Sequence, residues 1–388
     1  MTNKPFIIKE ATRKRCHIFE IDEESGAKFV QVNSEHFAYL REVKAIDFSI
    51  YFRIGLTMIE FMKPAEHSKE LLEQISRAIQ KEYAGLEICI RKIDRNRLLA
   101  IIDSVRRQKI DVLLDKEPTL DRKVLEIFGN LSNASQLVVR GGINKDTAKV
   151  VEASAAHLVD NLFDSQSAMA TLSRMVIHDP TLYDHSASVA MFAALISTQH
   201  LEQNVSKKEA AIVAQCGLYH DVGKTCVPSH ILNKPGKFTP DEFNVMKEHA
   251  IFGEEELLKV IENGAPIHEA VVRVAGEHHE RWNGKGYPRG HCGALHAENL
   301  NGIHLYTRIV SIADVYSALL MKRVYKEAFE PQDALLIMEK NAKDDYDPII
   351  FPKFLNAVVA SLNALQKSNE KGRILFRDED GLLKESKK

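Results

Sequence analysis

The chain has 388 residues, too many for one ordinary hydrophobic core, so two or three domains are expected. Its 45% hydrophobic and 27% charged residues are typical of globular proteins and argue against general disorder. A net charge of −2 gives no overall field that would favour nucleic acid or an anionic membrane. The sequence shows neither a signal peptide nor an apolar run of about 18 residues, and its five scattered cysteines are typical of free thiols. These features predict a cytoplasmic, multidomain protein without direct nucleic-acid binding.

Residues 1–118 are predicted to form a small α/β (α+β) domain with a regulatory or sensor-like role. A helix is expected over residues 66–83, where four apolar residues share one helical face. Neither a phosphate-binding glycine motif nor an acidic cluster typical of a phospho-receiver indicates its ligand. Runs rich in β-branched and aromatic residues predict strands at residues 28–32, 46–54, 85–93 and 109–115.

Beyond residue 118, strand patterns nearly vanish. Residues 119–165 are predicted to be a helical connector, broken at "RGGINKD" and compatible with a homodimer. Amphipathic helices follow over residues 166–366, which predicts an all-α bundle. Residues 367–388 are highly charged and are predicted to be a mobile tail, with a weak strand at "RILF".

Side chains that can bind metal recur on the apolar faces of five predicted helices. His185 has apolar residues four, seven and eleven positions later, so its ring is directed toward the core. His220 and Asp221 are adjacent and can converge only near a helix end, for which Gly223 is the predicted stop. The pattern continues on later helices with His249, which follows a capping box at Thr239–Glu242, and with His278, His279 and Asp314.

The seven candidates together carry the prediction of a metal centre. Each histidine alone fits a core residue that bonds a backbone carbonyl. Five imidazoles and two carboxylates turned inward would be costly without compensation, which a metal centre provides. A mixed imidazole and carboxylate set favours Fe, Mn, Co or Zn over Mg or Ca. Seven ligands match two metals that share a carboxylate, and two ions about 3.5–4 Å apart can generate a bridging hydroxide suited to attack on phosphorus.

Four segments carry a distinctive combination of motifs. They read "DPTLYDHSASVA", "LYHDVGKTCVPSHILNKPGKFTPDEFNVMKEHAIFGEEELL", "HHERWNGKGYP" and "RIVSIADVYSALLMKRVYK". Across residues 166–365 they resemble the HD-GYP family, a branch of the HD metal-dependent phosphohydrolases. The resemblance implies a helical bundle, two divalent metal ions (Fe first; Mn, Co, Ni or Zn as alternatives) and hydrolysis of cyclic di-GMP to pGpG or further to GMP. Because all of these motifs lie downstream of residue 118, the N-terminal domain is expected to regulate the enzyme.

The resemblance also implies roles for individual residues. Asp221 would bridge the two metals, and Asp221 and Lys224 are the expected catalytic residues, because Lys224 matches a lysine that contacts substrate phosphate or metal-bound water. Arg323 and Lys326 match a basic pair that receives phosphate and guanine. The remaining ligands would be His185, His220 and Asp314 on one metal, and His249, His278 and His279 on the other.

Gly286, Tyr287 and Pro288 match the GYP loop of the family. The resemblance implies that this loop shapes the substrate site and presents a surface to a signalling partner. The alternative is a simple turn beside a packed Trp282.

Three positions depart from the family pattern. Ser317 stands where the family often has an aspartate that positions water or protonates the leaving group, so slow hydrolysis and a faster Ser317→Asp variant are expected. Alternatively, Ser317 is only a helix-surface residue. Thr181 replaces the glutamate that holds a third metal in some members, which limits the expected metals to two. Asn283-Gly284 replaces the usual Asp-Gly.

Two other functions stay open at this point. The substrate could be another cyclic dinucleotide, such as a mixed GMP–AMP ring, because a metal centre does not read bases. The domain could also be a signalling adaptor that binds cyclic di-GMP and turns over little of it. A purely structural bundle is disfavoured by the five converging histidines.

Overall fold

The computed structural model describes most of the chain, in two compact units, Met1–Lys109 and Ile110–Lys388. Among the described helices, none combines the length and hydrophobicity that a membrane-spanning segment needs. Thr181, Arg323, Lys326 and, apart from Leu72, the predicted helix over residues 66–83 lie outside the described residues. The described residues are 18–20, 28–32, 39–54, 57–64, 72, 86–162, 165, 167–178, 184–199, 205–232, 234, 236–294, 302–321, 328–366, 373–378 and 382–387.

The N-terminal unit contains a five-stranded antiparallel sheet in the order β1-β4-β3-β5-β2. Side chains alternate between its faces, as the pleat requires. Ile50 and Phe52 contribute to the main core of this unit, whereas Tyr51 between them packs on the other face with Met58 and Cys89. The strands are β1 Ile18–Glu20, β2 Phe29–Val32, β3 Ile50–Ile54, β4 Thr57–Met62 and β5 Leu86–Arg91.

The strand predicted at residues 109–115 is wrong. This segment forms the end of helix α1, Arg95–Lys116, which follows a 3-10 turn at Lys92–Asp94. Leu98, Ile102 and Val105 are buried at helical spacing, so the apolar run continues a helix that begins upstream. A short apolar run cannot by itself distinguish a buried strand from a helix.

The C-terminal unit is built from helices packed around one hydrophobic core. Its central helix is α5, in which residues 187–197 are all buried. Helix α6 crosses α5 closely, because a Cβ on Gly217 would lie 2.5 Å from the Ala190 Cα. The helices are α2 Arg122–Gly141, α3 Lys145–Leu162, α4 Ala168–His178, α5 His185–Gln199, α6 Lys207–Tyr219, α7 Ser229–Leu232, α8 Pro240–Lys247, α9 His249–Glu262, α10 Glu269–Glu277, α11 Leu305–Leu320, α12 Pro331–Asp345 and α13 Ile350–Gln366.

The two helices assigned to the connector, α2 and α3, pack into this same core. Phe128 and Leu131 of α2 and Val151 and Leu158 of α3 are at most 1% exposed. Their apolar faces follow the 3.6-residue period of helices that pack on a core. Helices α2 and α3 are therefore part of the bundle.

The strand predicted at "RILF" is confirmed, whereas the mobile tail predicted around it is wrong for the described residues. Strands β6, Arg373–Arg377, and β7, Leu383–Lys387, form an antiparallel hairpin. Leu375 is 2% exposed, and its backbone exchanges two hydrogen bonds with the Asn363 side chain of α13. The backbone N–H of Leu383 donates to Glu339 of α12. The leucines of the hairpin are thus buried, and Arg377 on the same face forms an ion pair with Glu339 of α12.

Candidate metal centre

The candidate ligands lie mostly at helix ends, where side chains from different helices can converge. His185 is the first residue of α5, and the preceding Asp184 accepts a hydrogen bond from the Ala187 N–H as the helix cap. The other oxygen of Asp184 accepts a 2.8 Å hydrogen bond from Gln136 on α2. Helix α2 therefore fixes the start of the helix that carries His185.

His220 and Asp221 follow α6 directly and precede a 3-10 turn at Val222–Cys226. Gly223 lies within this turn, but its backbone is not left-handed, so its predicted role as a helix stop is wrong. A Cβ on Gly223 would lie 2.0 Å from the His249 carbonyl oxygen. Glycine is needed here because the turn contacts the backbone of the next ligand helix.

His249 opens α9 immediately after α8. The predicted capping box of α8 is confirmed, with Thr239 and Glu242 bonding each other's backbone and Pro240 at the first turn. His278 and His279 follow the end of α10, whereas Asp314 lies within α11. Five sequence-distant segments therefore meet at one place.

Four of the residues form what we call the first ligand group: the Asp221 Oδ1, His249, His278 and His279. The Nε2 atoms of His249 and His278 are 3.2 Å apart. Asp221 Oδ1 lies 3.4 Å from the His249 Nε2 and 3.6 Å from the His278 Nε2. The ring of His279 packs against that of His278, with centroids 4.0 Å apart.

The opposite oxygen of Asp221 belongs to the second ligand group, formed by Asp221 Oδ2, His185, His220 and Asp314. Asp221 Oδ2 lies 3.3 Å from the His220 Nε2 and 3.7 Å from the His185 Nε2. Asp314 Oδ1 lies 3.1 Å from the His185 Nε2 and 3.9 Å from the His220 Nε2. One carboxylate thus faces two clusters of imidazoles, one with each oxygen.

This donor set fits divalent metal ions. Ligand atoms about 2.0–2.2 Å from a tetrahedral ion lie roughly 3.3 Å from one another. The spacings within both groups are close to that value. In addition, the His220 Nε2 and the Asp221 Oδ1 are buried and have no hydrogen-bond partner among the described residues. Buried polar atoms without partners are costly, and coordination would satisfy both.

Backbone carbonyls orient three of the imidazoles. The Nδ1 atoms of His220, His249 and His278 lie 2.7, 2.6 and 2.9 Å from the carbonyl oxygen three residues earlier in each case. A carbonyl only accepts, so each Nδ1 carries the proton and each Nε2 presents its lone pair to the centre. Each of these histidines can therefore bond a backbone carbonyl, as a core histidine does, and still bind metal through its other nitrogen.

Burial and neighbouring charges set the ionisation of these groups. Burial, and then His278, lower the pKa of His249 to about 4, so this imidazole is neutral at physiological pH. Burial, and then His278, also hold the pKa of His279 well below its ordinary value. Burial opposes ionisation of Asp221, but His220 and Lys224 outweigh it, and the pKa of Asp221 is lowered. Burial also lowers the pKa of His220, but Asp221 and Asp314 outweigh it, and the pKa of this imidazole is raised. The neutral imidazoles of His249 and His279 beside a carboxylate are protonation states that bind metal.

The glycine-rich loop closes over the first ligand group. The Tyr287 ring stacks on the His279 ring with centroids 4.7 Å apart, and the Tyr287 N–H donates to the His279 carbonyl. A Cβ on Gly286 would lie 2.4 Å from the Glu280 Cα, so this approach requires glycine. Pro288 follows a cis peptide bond. The loop therefore contacts a candidate ligand, and Trp282 is also packed, against Gly293 and Arg308.

Glu280 holds the loop in shape and was missed by the sequence analysis. Its carboxylate is 3% exposed and accepts hydrogen bonds from the backbone N–H groups of Arg289, Gly290 and His291. The only signal was an acid directly after two histidines. Lys224, predicted to contact substrate, forms an ion pair with the Asp221 Oδ2 and keeps 36% of its side chain exposed.

Ser317 is not a helix-surface residue. It is 0% exposed, and its Oγ lies 2.9 Å from the His185 Nδ1. That alternative from the sequence is therefore wrong. Its hydroxyl contacts the outer nitrogen of a candidate ligand rather than the space between the two ligand groups.

Known proteins resemble the region that holds these residues. A family profile described as "HD domain" matches residues 165–350. A "Probable cyclic di-GMP phosphodiesterase" of Vibrio cholerae is 41% identical over 140 residues, which cover 35% of this chain and 30% of the relative. A "3'3'-cGAMP-specific phosphodiesterase 3" of the same organism is 35% identical over 50% of this chain and 39% of the relative. The chain spans less than half the length of these curated relatives.

A solved structure shares the fold of most of the chain. It is described as "Bd1817, a HDG"Y"P protein from Bdellovibrio bacteriovorus" and superposes with a TM-score of 0.54 at 17% identity. The superposition covers 84% of this chain and 98% of that protein.

Proposed function

We propose that this protein is a metal-dependent phosphodiesterase of the HD-GYP type that hydrolyses cyclic di-GMP, because an HD-domain profile matches residues 165–350 and a relative named as a probable cyclic di-GMP phosphodiesterase is 41% identical over 140 residues. The observation that carries the proposal is the position of Asp221, whose two oxygens face two separate groups of imidazoles. A carboxylate in this position is the bridge expected of a dinuclear centre.

The proposed cofactor is a pair of divalent cations, with iron first and Mn, Co, Ni or Zn as alternatives. The first ligand group would hold one ion, the second would hold the other, and Asp221 would contact both. When bound, such a pair supplies Lewis acidity and makes a water molecule nucleophilic toward phosphorus at neutral pH. Support comes from the mixed imidazole and carboxylate donors, which suit transition metals rather than Mg or Ca.

Residues of the chain itself bind and orient the substrate in this proposal. Lys224 lies beside Asp221 with part of its side chain exposed, so its ammonium can reach a phosphate oxygen from the rim. Tyr287, held on His279 by Gly286 and Pro288, forms one wall of the site. Arg323 and Lys326, outside the described residues, are proposed to bind phosphate and guanine. These cations would offset the negative charge of a cyclic dinucleotide.

The second candidate substrate is a mixed GMP–AMP ring. Relatives named for either cyclic dinucleotide match this chain at similar identity, 41% and 35%. Both rings present the same phosphodiester to the metal centre, and they differ only in the bases. The proposed product is pGpG from cyclic di-GMP, with GMP from a second cleavage.

The N-terminal unit is proposed to regulate the enzyme. The described candidate ligands all lie within residues 185–314, outside the N-terminal sheet. A signalling partner at the GYP loop, a homodimer and a cytoplasmic location remain predictions of the same proposal.

The test begins with anaerobic purification of the full chain and measurement of its metals by elemental analysis. The loaded protein is then incubated separately with cyclic di-GMP and the mixed ring, and products are identified by chromatography. About two metal ions per chain and conversion of cyclic di-GMP to pGpG are expected, with Asp221→Ala as the inactive control. A loaded protein that binds cyclic di-GMP without converting it would instead identify an adaptor.

A further inference from the structure

Ser317 makes a contact that the proposed chemistry does not explain. Its hydroxyl is fully buried on α11, and its Oγ is 2.9 Å from the Nδ1 of His185 on α5. Asp314 precedes it by one helical turn and lies 3.1 Å from the other nitrogen of the same imidazole. One turn of α11 therefore contacts both nitrogens of His185.

The orientation of His185 differs from that of the three carbonyl-fixed histidines. His220, His249 and His278 each direct Nδ1 to a carbonyl three residues earlier in the chain. His185 instead opens its helix, and its Nδ1 contact comes from a residue 132 positions away. A carbonyl can only accept, whereas a hydroxyl both donates and accepts, so Ser317 is compatible with either tautomer of His185.

We propose that Ser317 is the positioning residue of His185: its hydroxyl accepts the Nδ1 proton and so keeps the Nε2 lone pair directed at the second metal site. This inference rests on the metal centre of the proposed function. The competing tautomer carries its proton on Nε2, where it would donate to Asp314 Oδ1. An ion in the second ligand group excludes that proton, and the Ser317 oxygen then accepts from Nδ1.

The identity of the acceptor sets how strongly the second group binds metal. A carboxylate hydrogen-bonded to the outer nitrogen of a ligand histidine raises the basicity of the ring and fixes its orientation. A neutral hydroxyl fixes the orientation with a smaller gain in basicity. Ser317 is thus a determinant of metal affinity in the second group.

The experiment measures zinc binding to the metal-free full chain by calorimetric or chelator-competition titration. Ser317→Ala is expected to weaken one of the two binding events by about 10–100-fold, the usual effect of removing such a partner, and to leave the other unchanged. Ser317→Thr keeps the hydroxyl and is expected to stay near wild type, whereas Ser317→Asp should bind at least as tightly. Ser311→Ala, which removes a hydroxyl elsewhere on α11, is the control and should match wild type.

Two further readouts separate positioning from other roles. In the zinc-loaded protein, the downfield proton resonance of the His185 Nδ1–H, assigned by its loss in His185→Gln, should shift or disappear in Ser317→Ala. At saturating metal, Ser317→Asp should change kcat by only a few fold, whereas a carboxylate acting as a general acid would raise it by about 10²–10⁴-fold.

Several outcomes would overturn the inference. The inference is wrong if Ser317→Ala keeps wild-type zinc affinity and an unchanged Nδ1–H resonance. It is also wrong if Ser317→Asp raises kcat strongly at saturating metal. If Ser317→Ala fails to fold, the isosteric pair Ser317→Thr and Ser317→Val replaces it, and equal zinc affinity in that pair is the negative result. A wild-type chain that binds no metal would refute the proposed centre itself.

Discussion

The two ligand groups share Asp221 but are assembled in different ways. The histidines of the first group come from one stretch of chain, residues 249–279, and the Nδ1 atoms of His249 and His278 are held by carbonyls three residues away. The second group combines His185, His220 and Asp314 from three separate helices. Local chain geometry therefore orients His249 and His278 in the first group but only His220 in the second, where His185 and Asp314 depend on the packing of α5 against α11. Loss of core packing should loosen the second group first.

The largest effect should come from removing the residue that both groups share. Asp221→Ala removes one ligand from each group, so we expect both ions to be lost. Turnover should fall about 10³-fold or more, because a metal supplies several kcal/mol of transition-state stabilisation. Elemental analysis and a product assay measure the two effects. Retention of two ions and wild-type turnover would show that Asp221 is no bridge.

The next effect acts on the support of the first group alone. In Gly223→Ala the added Cβ would meet the His249 carbonyl oxygen, so we expect destabilisation of about 3 kcal/mol or more and displacement of His249. Denaturant unfolding measures the change. Gly253→Ala is the matched control across the same contact, since its Cβ would lie 3.3 Å from the Gly223 nitrogen, and it should change stability by no more than about 1 kcal/mol. Equal stability of both variants would contradict the close approach.

A smaller loss of catalytic efficiency is expected when Lys224 is replaced, on the side of Asp221 that faces the second group. Lys224 contacts the Oδ2 atom, and a charge-assisted hydrogen bond to substrate phosphate is worth about 1.5–3 kcal/mol. Lys224→Gln should therefore lower kcat/KM by about 10–100-fold while both ions stay bound. Steady-state kinetics with parallel metal analysis test this, with the exposed Lys259→Gln on α9 as the control. Loss of an ion from Lys224→Gln would instead make the lysine a support of the metal site.

The smallest effect should come from the loop over the first group. Glu280→Gln keeps the shape of the side chain but weakens its three bonds to the backbone at Arg289, Gly290 and His291, for an expected loss of about 1–2 kcal/mol. Hydrogen exchange at these three amides measures the loosening directly. Unchanged exchange in the variant would mean that Gly286 and Tyr287 hold the loop without Glu280.

The sequence was most informative where a residue that can bind metal lies on an apolar helical face or beside a helix end. His185, His220, Asp221, His249 and Asp314 could be selected because an imidazole or carboxylate on an apolar face is costly without a partner. The capping box of α8 was predictable for a similar reason, since its signal lies within four residues. The chemistry of single residues and the cost of burying them were therefore enough to predict most of the candidate ligands.

The features that were not predicted depend on contacts across the fold. The serine at position 317 could be compared with an aspartate, but its bond to His185 joins residues 132 positions apart. The local pattern predicts Gly223 as a helix stop, whereas the contact that requires glycine is made by the backbone of α9, which no local pattern contains. The strand predicted at residues 109–115 is wrong because propensity is a weak guide where packing decides. The strand at "RILF" was predictable from its residues, whereas the contacts of the tail with α12 and α13 were not.

The loop held by Glu280 has a consequence for how the site meets its ligands. Its amides are satisfied by a buried carboxylate of the protein, and Tyr287 rests on His279, so contacts within the protein hold this wall of the site. Binding then need not immobilise this part of the chain, and the entropy of ordering it is lost during folding instead. Substitutions in the loop should therefore change the affinity for metal and nucleotide mainly by changing how often the loop is open.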